Sequence, residues 1–278
     1  MAEVDIFYIN LEKAVERRRS IEESFEKSAF SSAWVLNRFN AIDASSELIK
    51  TRTGPDGPTL KAAWLSHLGC VKTAIERGLT SHLLIAEDDT EFCAATEQYA
   101  TALIRHKNPA DWDIIYLDAF IPNAVDMPWF FKLRHKWLRE GDLQLINLKG
   151  FNRAFAGAGS YIVNNASLKK FVEFIDIPYF QGPIDLVLRR LILDGTLKGI
   201  LAFPFLTTVA AVAETSQVQY EDERIVQDRI INNFRRLVWI GAEPPSTEID
   251  ENNPKLTKEI LAFQAIFTSL LAEQMDWF

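Results

Sequence analysis

Cysteine is scarce in this sequence, and the sequence lacks both a long apolar stretch and a secretory signal. Cys70 and Cys93 are too few for a disulfide framework and do not have the spacing of zinc ligands, so we expect ordinary buried thiols. No apolar stretch approaches the roughly 20 residues that a membrane-spanning helix needs. The first residues, Met-Ala-Glu-Val-Asp, contain neither the basic nor the apolar part of a secretory signal, which favours a cytoplasmic protein.

Positive charge is also in short supply. The chain has 30 Lys plus Arg against 38 Asp plus Glu, a formal net charge of −8, so we expect no nucleic acid among its partners. Material for a core is ample, because 48% of the 278 residues are hydrophobic and 12% are aromatic. That composition excludes global disorder and fits either one large α/β domain with appendages or two small domains.

Segments typical of strands alternate with segments of helical periodicity along the first part of the chain. This order favours a mostly parallel sheet with helices on both faces, an α/β fold of Rossmann-like type. A loop at 53–58 holds two glycines and two prolines. The predicted strands are 4–11, 34–41, one beginning at 83, 113–117, 156–163 and 200–212, and the predicted helices are 12–27, 60–78, 94–105, 129–139, 167–175, 182–193 and 222–240.

Two further segments have the composition of contact surfaces. The predicted helix at 129–139 carries basic residues and no acid, with aromatic residues on one side. It is either a plain surface helix or lid, or a helix that contacts anionic lipid or a charged acceptor. Contact with lipid would place the protein at the periphery of the inner membrane. After a linker at 241–254, an apolar helix at 255–278 docks either on its own domain or on a second subunit as a homo-oligomer.

Three consecutive acids follow the third predicted strand. The sequence Leu-Leu-Ile-Ala from residue 83 ends abruptly on Glu87, Asp88 and Asp89. The carboxyl ends of strands are where open α/β sheets bind their ligands. Three neighbouring carboxylates repel one another, so a cation that neutralised them would be stabilising. The alternative is a solvated turn with no ligand.

The chemistry of such carboxylates points to a hard divalent cation. Their oxygens suit Mg²⁺ or Mn²⁺, which prefer to share their coordination with a diphosphate. On an extended chain the first and third side chains point the same way, so we expect Glu87 and Asp89 to act together while Asp88 faces elsewhere. The metal would offset the charge that develops on a departing nucleoside diphosphate.

Transfer of a group to a hydroxyl also requires a base. Asp185, which begins a predicted helix, is the leading candidate, and Asp118, which follows the strand at 113–117, is the reserve. The alternative role of Asp185 is to complement the helix dipole.

Short motifs spread along the chain resemble those of glycosyltransferase family 25. That family includes lipooligosaccharide galactosyltransferases and glucosyltransferases of bacteria and the collagen galactosyltransferases of animals. The similarity covers about residues 4–220, and the first four of these motifs in register are more specific than any one of them alone. The motifs are Ile9-Asn10-Leu11 with Arg17, Ala41-Ile42-Asp43, Leu65-Ser66-His67-Leu68, Ile85-Ala86-Glu87-Asp88-Asp89, Trp112 to Leu117, Tyr161-Ile162-Val163, Pro183-Ile184-Asp185 and Ser216-x-Val218.

The resemblance implies a GT-A type fold and an inverting, metal-dependent transfer. The donor would be a UDP-sugar carrying galactose or glucose, the acceptor a glycan or glycolipid, and the cofactor Mn²⁺ or Mg²⁺. The glycosyltransferase domain would span 1–220, with a C-terminal helical extension at 221–278. By the same resemblance Asn10, Leu11, Arg17, Asp43, Ser66, His67, Glu87 and Asp88 lie on the donor side, Glu87 and Asp89 hold the metal, and Asp185 serves the acceptor side.

Some of these residues have structural explanations, and two other functions stay open. His67, on a predicted helix with apolar neighbours, is equally well a hydrogen-bonded core histidine. A catalytically silent relative would keep the fold and bind a nucleotide sugar as an assembly subunit. A metal-dependent nucleotidyltransferase would also use acids and a metal, but the sequence lacks a glycine-rich phosphate loop followed by lysine.

Overall fold

The computed structural model describes residues 3–215 and 222–242. Its strands are β1 (Val4–Asn10), β2 (Trp34–Asn40), β3 (His82–Glu87), β4 (Thr90–Glu91), β5 (Ile114–Tyr116), β6 (Gln144–Asn147), β7 (Ser160–Val163), β8 (Gly199–Phe203) and β9 (Thr208–Val209). Seven of them form one sheet in the order β2-β1-β3-β7-β5-β8-β6, and β4 pairs with β9 in a separate ribbon.

The large sheet is mostly parallel, as predicted. β1 pairs in parallel with β2 and β3, and β5 pairs in parallel with β8. β7 and β6 run against the others, and β7 separates β3 from β5. Every residue of β7 and β8 is buried, which is typical of strands that are covered by helices on both faces.

Helices lie on both faces of the sheet. They are α1 (Val15–Lys27), α2 (Pro58–Glu76), α3 (Ala94–His106), α4 (Met127–Glu140), α5 (Leu168–Ile175), α6 (Ile184–Leu193) and α7 (Asp222–Leu237). Successive side chains of β1 show the two layers, because Phe7 joins a core cluster with α2 and α5, whereas Ile6 and Tyr8 join a second cluster with α1 and α3. The predicted α/β fold is therefore confirmed.

The end of α2 follows directly from its sequence. The helix closes at Arg77, and Gly78 then adopts a left-handed conformation with φ of +62°. Glycine reaches that conformation without the penalty that a Cβ imposes. Gly78 donates its backbone N–H to the carbonyl of Ile75 at 3.0 Å, so the chain turns from α2 towards β3 at the predicted position.

One predicted strand differs from the structure. The apolar segment at 200–212 forms β8, which ends at Phe203, and then the short strand β9. Pro204 follows β8 directly, and a proline cannot donate a hydrogen bond that would continue the ladder. β6 has no counterpart in the prediction, because its sequence, Gln-Leu-Ile-Asn, is short and does not alternate between apolar and polar residues.

The aromatic side of α4 packs on the protein itself. Phe130 is fully buried, and Trp129 and Leu133 pack against the same core cluster. Arg134 is also buried and donates to the carbonyl of Ala242 at 3.4 Å. This arrangement suits a plain surface helix, and contact of 129–139 with a membrane stays a prediction. Across 3–215 and 222–242, no helix combines the length and apolarity needed to cross a bilayer.

α7 belongs to the main core, although the predicted domain boundary at 220 places it in the C-terminal extension. Its residues Ile231 and Phe234, together with Val238 just beyond it, are buried in the cluster that also contains Phe130. The core therefore extends past the predicted boundary at 220. The linker beyond its first two residues, the closing helix at 255–278 and the motif at Ser216 and Val218 lie outside the residues that the structure describes.

Candidate functional site

The predicted acids lie at one edge of the large sheet. β1 ends at Asn10, β3 ends at Glu87, and Asp118 follows the end of β5 by two residues. These three strands point the same way, so their carboxyl ends reach a common edge. In open α/β sheets this is the edge where ligands bind.

Arg17 supplies the neutralising cation for two of the acids. Its Nε donates to Oδ1 of Asp88 at 2.6 Å, and its Nη2 donates to Oδ2 of Asp89 at 2.6 Å. The three side chains are between 11% and 15% exposed, so the ion pairs are largely protected from solvent screening. A guanidinium suits this double contact because its donors form a rigid fork.

Asn10 completes the environment of Asp88. Its Nδ2 donates to Oδ2 of Asp88 at 2.7 Å and to the carbonyl of Ala14 at 3.0 Å, while its Oδ1 accepts from Nε of Arg38 at 3.1 Å. Both carboxylate oxygens of Asp88 are thus hydrogen-bonded. Burial raises the pKa of Asp88 above its ordinary value, and Arg17 and Asn10 offset only part of that rise.

The expected direction of the acidic side chains was wrong in one respect. Asp88 and Asp89 lie in a turn and share Arg17, so Asp88 does not face away from Asp89. The strand ends at Glu87, and the alternation of side chains applies only within an extended chain. Glu87, the last residue of β3, has its Oε1 3.7 Å from Nε2 of His67 on α2.

Glu87 approaches a buried histidine. Its Oε1 lies 3.7 Å from Nε2 of His67, and Nδ1 of His67 lies 3.0 Å from the hydroxyl of Tyr161. His67 is 2% exposed, whereas the side chain of Glu87 is 45% exposed and so reaches the surface of the site. Neighbouring protein atoms desolvate the carboxylate, but His67, followed by the charges of Arg17 and Arg235, outweighs them and lowers the pKa of Glu87.

Asp118 is held by Arg235, which no sequence motif indicates. Nε of Arg235, on α7, lies 3.0 Å from each carboxylate oxygen of Asp118, and Nη2 also donates to Oδ2. Burial raises the pKa of Asp118, and Arg235 offsets part of the rise. The arginine also acts electrostatically on Asp89 and Glu87. No local motif marks Arg235, because its partner lies 117 positions away.

The backbone beside Arg235 is tightly packed. A Cβ on Gly159 would lie 3.3 Å from Nη2 of Arg235, so the guanidinium rests against the chain just before β7. The Gly159 carbonyl accepts from the backbone N–H of Glu87 at 2.8 Å and from the hydroxyl of Thr90 at 2.9 Å. The turn that carries the acids is therefore fixed to β7 at both of its ends.

Asp185 lies in the first turn of α6, as predicted. Its Oδ2 accepts the backbone N–H of Gly157 at 2.9 Å, which fixes a glycine whose φ is +93°. Burial and then the charge of Asp185 raise the pKa of Tyr116, whose ring lies 5.9 Å from that of Tyr161. Asp185 thus lies on the face of the sheet that also carries Tyr161, and its role as base stays a prediction.

Three predicted donor-side residues have structural contacts. Ser66 donates to the carbonyl of Ala62 at 2.8 Å and accepts from the backbone N–H of Ile42 at 2.9 Å, so it fixes the loop after β2. Asp43 in that loop has a side chain that is 41% exposed and pairs with Lys13 at 2.9 Å. Hydrogen bonds from Ser45 and then Lys13 lower the pKa of Asp43.

The carbonyl of Leu11, the third of these residues, accepts from the N–H of Ala14 at 2.9 Å. Contact of these residues with a donor stays a prediction.

The site offers a metal ion only a few carboxylate ligands. It therefore suits an ion that takes most of its ligands from water and substrate. Within 3–215 and 222–242, no three His, Cys, Asp or Glu side chains converge as a metal-holding group. Mg²⁺ normally takes one or two carboxylates and fills its remaining positions with water and substrate phosphates. Asp88 is engaged at both oxygens, whereas Arg17 contacts only Oδ2 of Asp89. Asp89 thus keeps one carboxylate oxygen outside its pair with Arg17, and metal binding by Glu87 and Asp89 stays a prediction.

Comparison with known proteins leaves the family open. No protein-family model matches the chain, and no curated protein matches it. Among solved structures, 15 chains match. One is mouse xyloside xylosyltransferase 1 in its apo form, with 10% sequence identity over 71% of this chain and 77% of that chain and a TM-score of 0.32. At that distance the function has to be inferred from the residues of the chain itself, and the resemblance to glycosyltransferase family 25 stays a prediction.

Proposed function

We propose that the protein is a metal-dependent, inverting glycosyltransferase that moves galactose or glucose from a UDP-sugar to a hydroxyl of a glycan or glycolipid. The observation that carries the proposal is the convergence of Asn10, Arg17 and the acids at 87–89 where β1 and β3 end. Residues that are distant in sequence thus form a charged cluster at the ligand-binding edge of an α/β sheet. The sequence motifs that resemble family 25 support the same conclusion.

The leaving diphosphate determines what the cluster has to do. Mn²⁺ or Mg²⁺, when bound, would supply positive charge that stabilises the diphosphate. Glu87 and Asp89 would hold the ion, because they present carboxylate oxygens that other residues do not fully engage. Arg17, already between Asp88 and Asp89, would give the diphosphate a second positive neighbour.

The acceptor side needs a group that takes a proton. In an inverting transfer the acceptor oxygen bonds to the anomeric carbon, the bond from that carbon to the diphosphate oxygen breaks, and the hydroxyl proton passes to a base. We assign that base to Asp185, because only its carboxylate oxygen Oδ2, and not Oδ1, accepts a hydrogen bond from residues 3–215 and 222–242. Asp118 suits the role less well, since Arg235 engages both of its oxygens.

The experiment that tests this proposal also distinguishes two alternative functions. A silent nucleotide-sugar-binding subunit is favoured by the ion pairs of Arg17, which already neutralise Asp88 and Asp89 without a metal. A nucleotidyltransferase has no observation of its own in its favour. Two further proposals are not tested by a turnover assay. They are peripheral contact with the inner membrane through 129–139 and oligomer formation through the closing helix.

The decisive experiment measures nucleotide release from a panel of UDP- and GDP-sugars with Mn²⁺, Mg²⁺ or EDTA. We expect UDP release from one UDP-hexose, supported by either metal and abolished by EDTA. A folded protein that binds UDP but releases none with any donor is the silent subunit. Release of pyrophosphate from a nucleoside triphosphate plus a sugar phosphate identifies the nucleotidyltransferase instead.

A further inference from the structure

A chain of polar side chains leads from the site into the core. Glu87 reaches the surface of the site, His67 is buried beside it on α2, and Tyr161 lies behind His67 on β7. Tyr161 is fully buried, and its ring is nearly parallel to that of His67 with centroids 5.8 Å apart. Buried polar groups need partners, and here each ring nitrogen of His67 faces a different oxygen.

The partners determine which nitrogen carries the proton when the imidazole is neutral. A carboxylate only accepts, so Nε2 has to present its N–H to Glu87. Nδ1 then has to accept, and the hydroxyl of Tyr161 has to donate to it at 3.0 Å. Burial keeps that hydroxyl protonated, because it raises the pKa of Tyr161 well above the ordinary value. The two contacts therefore favour a single tautomer.

We propose that His67 is a positioning residue that orients the carboxylate of Glu87 towards the donor, and that Tyr161 serves it by fixing the tautomer. This inference rests on the proposed function, since it concerns how the same site receives its donor. The distance of 3.7 Å between Nε2 and Oε1 is longer than a hydrogen bond. Contacts of this kind often tighten only when the substrate is bound.

Two substitutions at position 67 separate positioning from core filling. The amide nitrogen of glutamine extends about as far as Nε2 of histidine, and that of asparagine about as far as Nδ1. His67→Gln therefore keeps a donor for Glu87, whereas His67→Asn keeps a partner for Tyr161 only. We expect His67→Gln to retain most of the donor turnover and His67→Asn to lose about 10- to 100-fold, the range found for residues that orient ligands.

A double-mutant cycle tests the role of Tyr161. Tyr161→Phe should lower turnover when position 67 is histidine, because the tautomer is no longer fixed. It should have no further effect in the His67→Gln protein, since an amide has no tautomer to select. Tyr8→Phe is the control, because it removes the hydroxyl of another buried tyrosine, one bonded to Glu22 on the opposite face of the sheet.

Binding provides a readout that does not depend on turnover. UDP affinity in the presence of Mn²⁺, measured by calorimetry, should follow the same order, with His67→Asn weaker than His67→Gln. Melting temperatures should not follow that order. If His67→Asn is the milder variant, or the two are equal, His67 is a core residue and this inference fails while the proposed function stands. If the unmodified protein neither binds UDP nor releases it, both fail together.

Discussion

Arg235 on α7 and Asp118 after β5 are 117 positions apart, yet Nε of the arginine lies 3.0 Å from each oxygen of the carboxylate. The side chains are 11% and 2% exposed. An ion pair that has been removed from water depends on both partners, because neither charge is solvated when the other is lost. This pair therefore attaches α7 to the edge of the sheet where the candidate site lies.

Removal of one partner of this pair should be strongly destabilising. Arg235→Met leaves the buried carboxylate of Asp118 unpaired, and we expect the free energy of unfolding to fall by about 3 to 5 kcal/mol. The double variant Arg235→Met with Asp118→Leu should lose clearly less, since no buried charge remains. Urea unfolding followed by circular dichroism measures both. A double variant as unstable as the single one would show that packing, and not the unpaired charge, causes the loss.

Asp89→Asn should separate function from stability. The substitution removes a carboxylate that we assign to the metal, so donor turnover should fall by about 100-fold or more. Asp88 still binds Arg17, so the free energy of unfolding should fall by only about 1 to 3 kcal/mol, the contribution of a charged hydrogen bond.

The control for Asp89→Asn is Asp111→Asn. Asp111 is an exposed acid at the opposite edge of the sheet, before the amino end of β5. It should change neither turnover nor the free energy of unfolding. Normal turnover by the Asp89→Asn protein would exclude Asp89 from the site, and a protein that no longer folds would show that its pairing with Arg17 is structural.

Asp185→Asn should impair transfer without impairing donor binding. The asparagine oxygen can still accept the N–H of Gly157, so the turn before β7 should be retained. An amide cannot take a proton, so transfer to an acceptor should fall by about 100- to 10,000-fold. UDP affinity, measured by calorimetry with Mn²⁺, should stay the same. Unchanged transfer would remove Asp185 as the base, and the corresponding variant of Asp118 would then be the next to test.

Asp113 should make stability depend on acidic pH. It accepts from Ser167 at 2.6 Å, from Lys170 at 2.7 Å and from the backbone N–H of Lys198 at 2.8 Å. Burial opposes ionisation, but these contacts outweigh it and lower the pKa of Asp113. A lowered pKa in the folded state means that the stabilisation is complete above the unfolded pKa of about 4 and is lost as pH falls through the folded pKa.

The measurement for Asp113 is the free energy of unfolding at several pH values. Between pH 7 and the acid range, the unmodified protein should lose more stability than Asp113→Asn, which has no carboxylate to protonate there. Lys198→Met is a useful control, because it retains the backbone N–H that Asp113 accepts. Parallel pH curves for the unmodified and Asp113→Asn proteins would mean that Asp113 has the same pKa in both states.

Local signals predicted most of the elements correctly. Helix α2 ends before Gly78 as predicted, because the glycine acts through its own backbone geometry, whereas its start at Pro58 lies two residues before the predicted start and takes in the last residue of the predicted loop. Long periodic segments such as α1 and α3 and continuous apolar runs such as β3 were also recognised. The place of β7 was not, because an antiparallel strand between β3 and β5 depends on pairing across the sheet and not on the residues next to it.

The sequence by itself determined the fold class and the position of the three acids at the end of a strand, because periodicity and the end of an apolar run are local properties of the chain. Only the tertiary structure decided which cations pair with the acids of the candidate site. Arg17 is 71 residues from Asp88, and Arg235 is 117 residues from Asp118. Charge pairs at such separations form only after packing has brought α1 and α7 to the sheet, and no local pattern records that event.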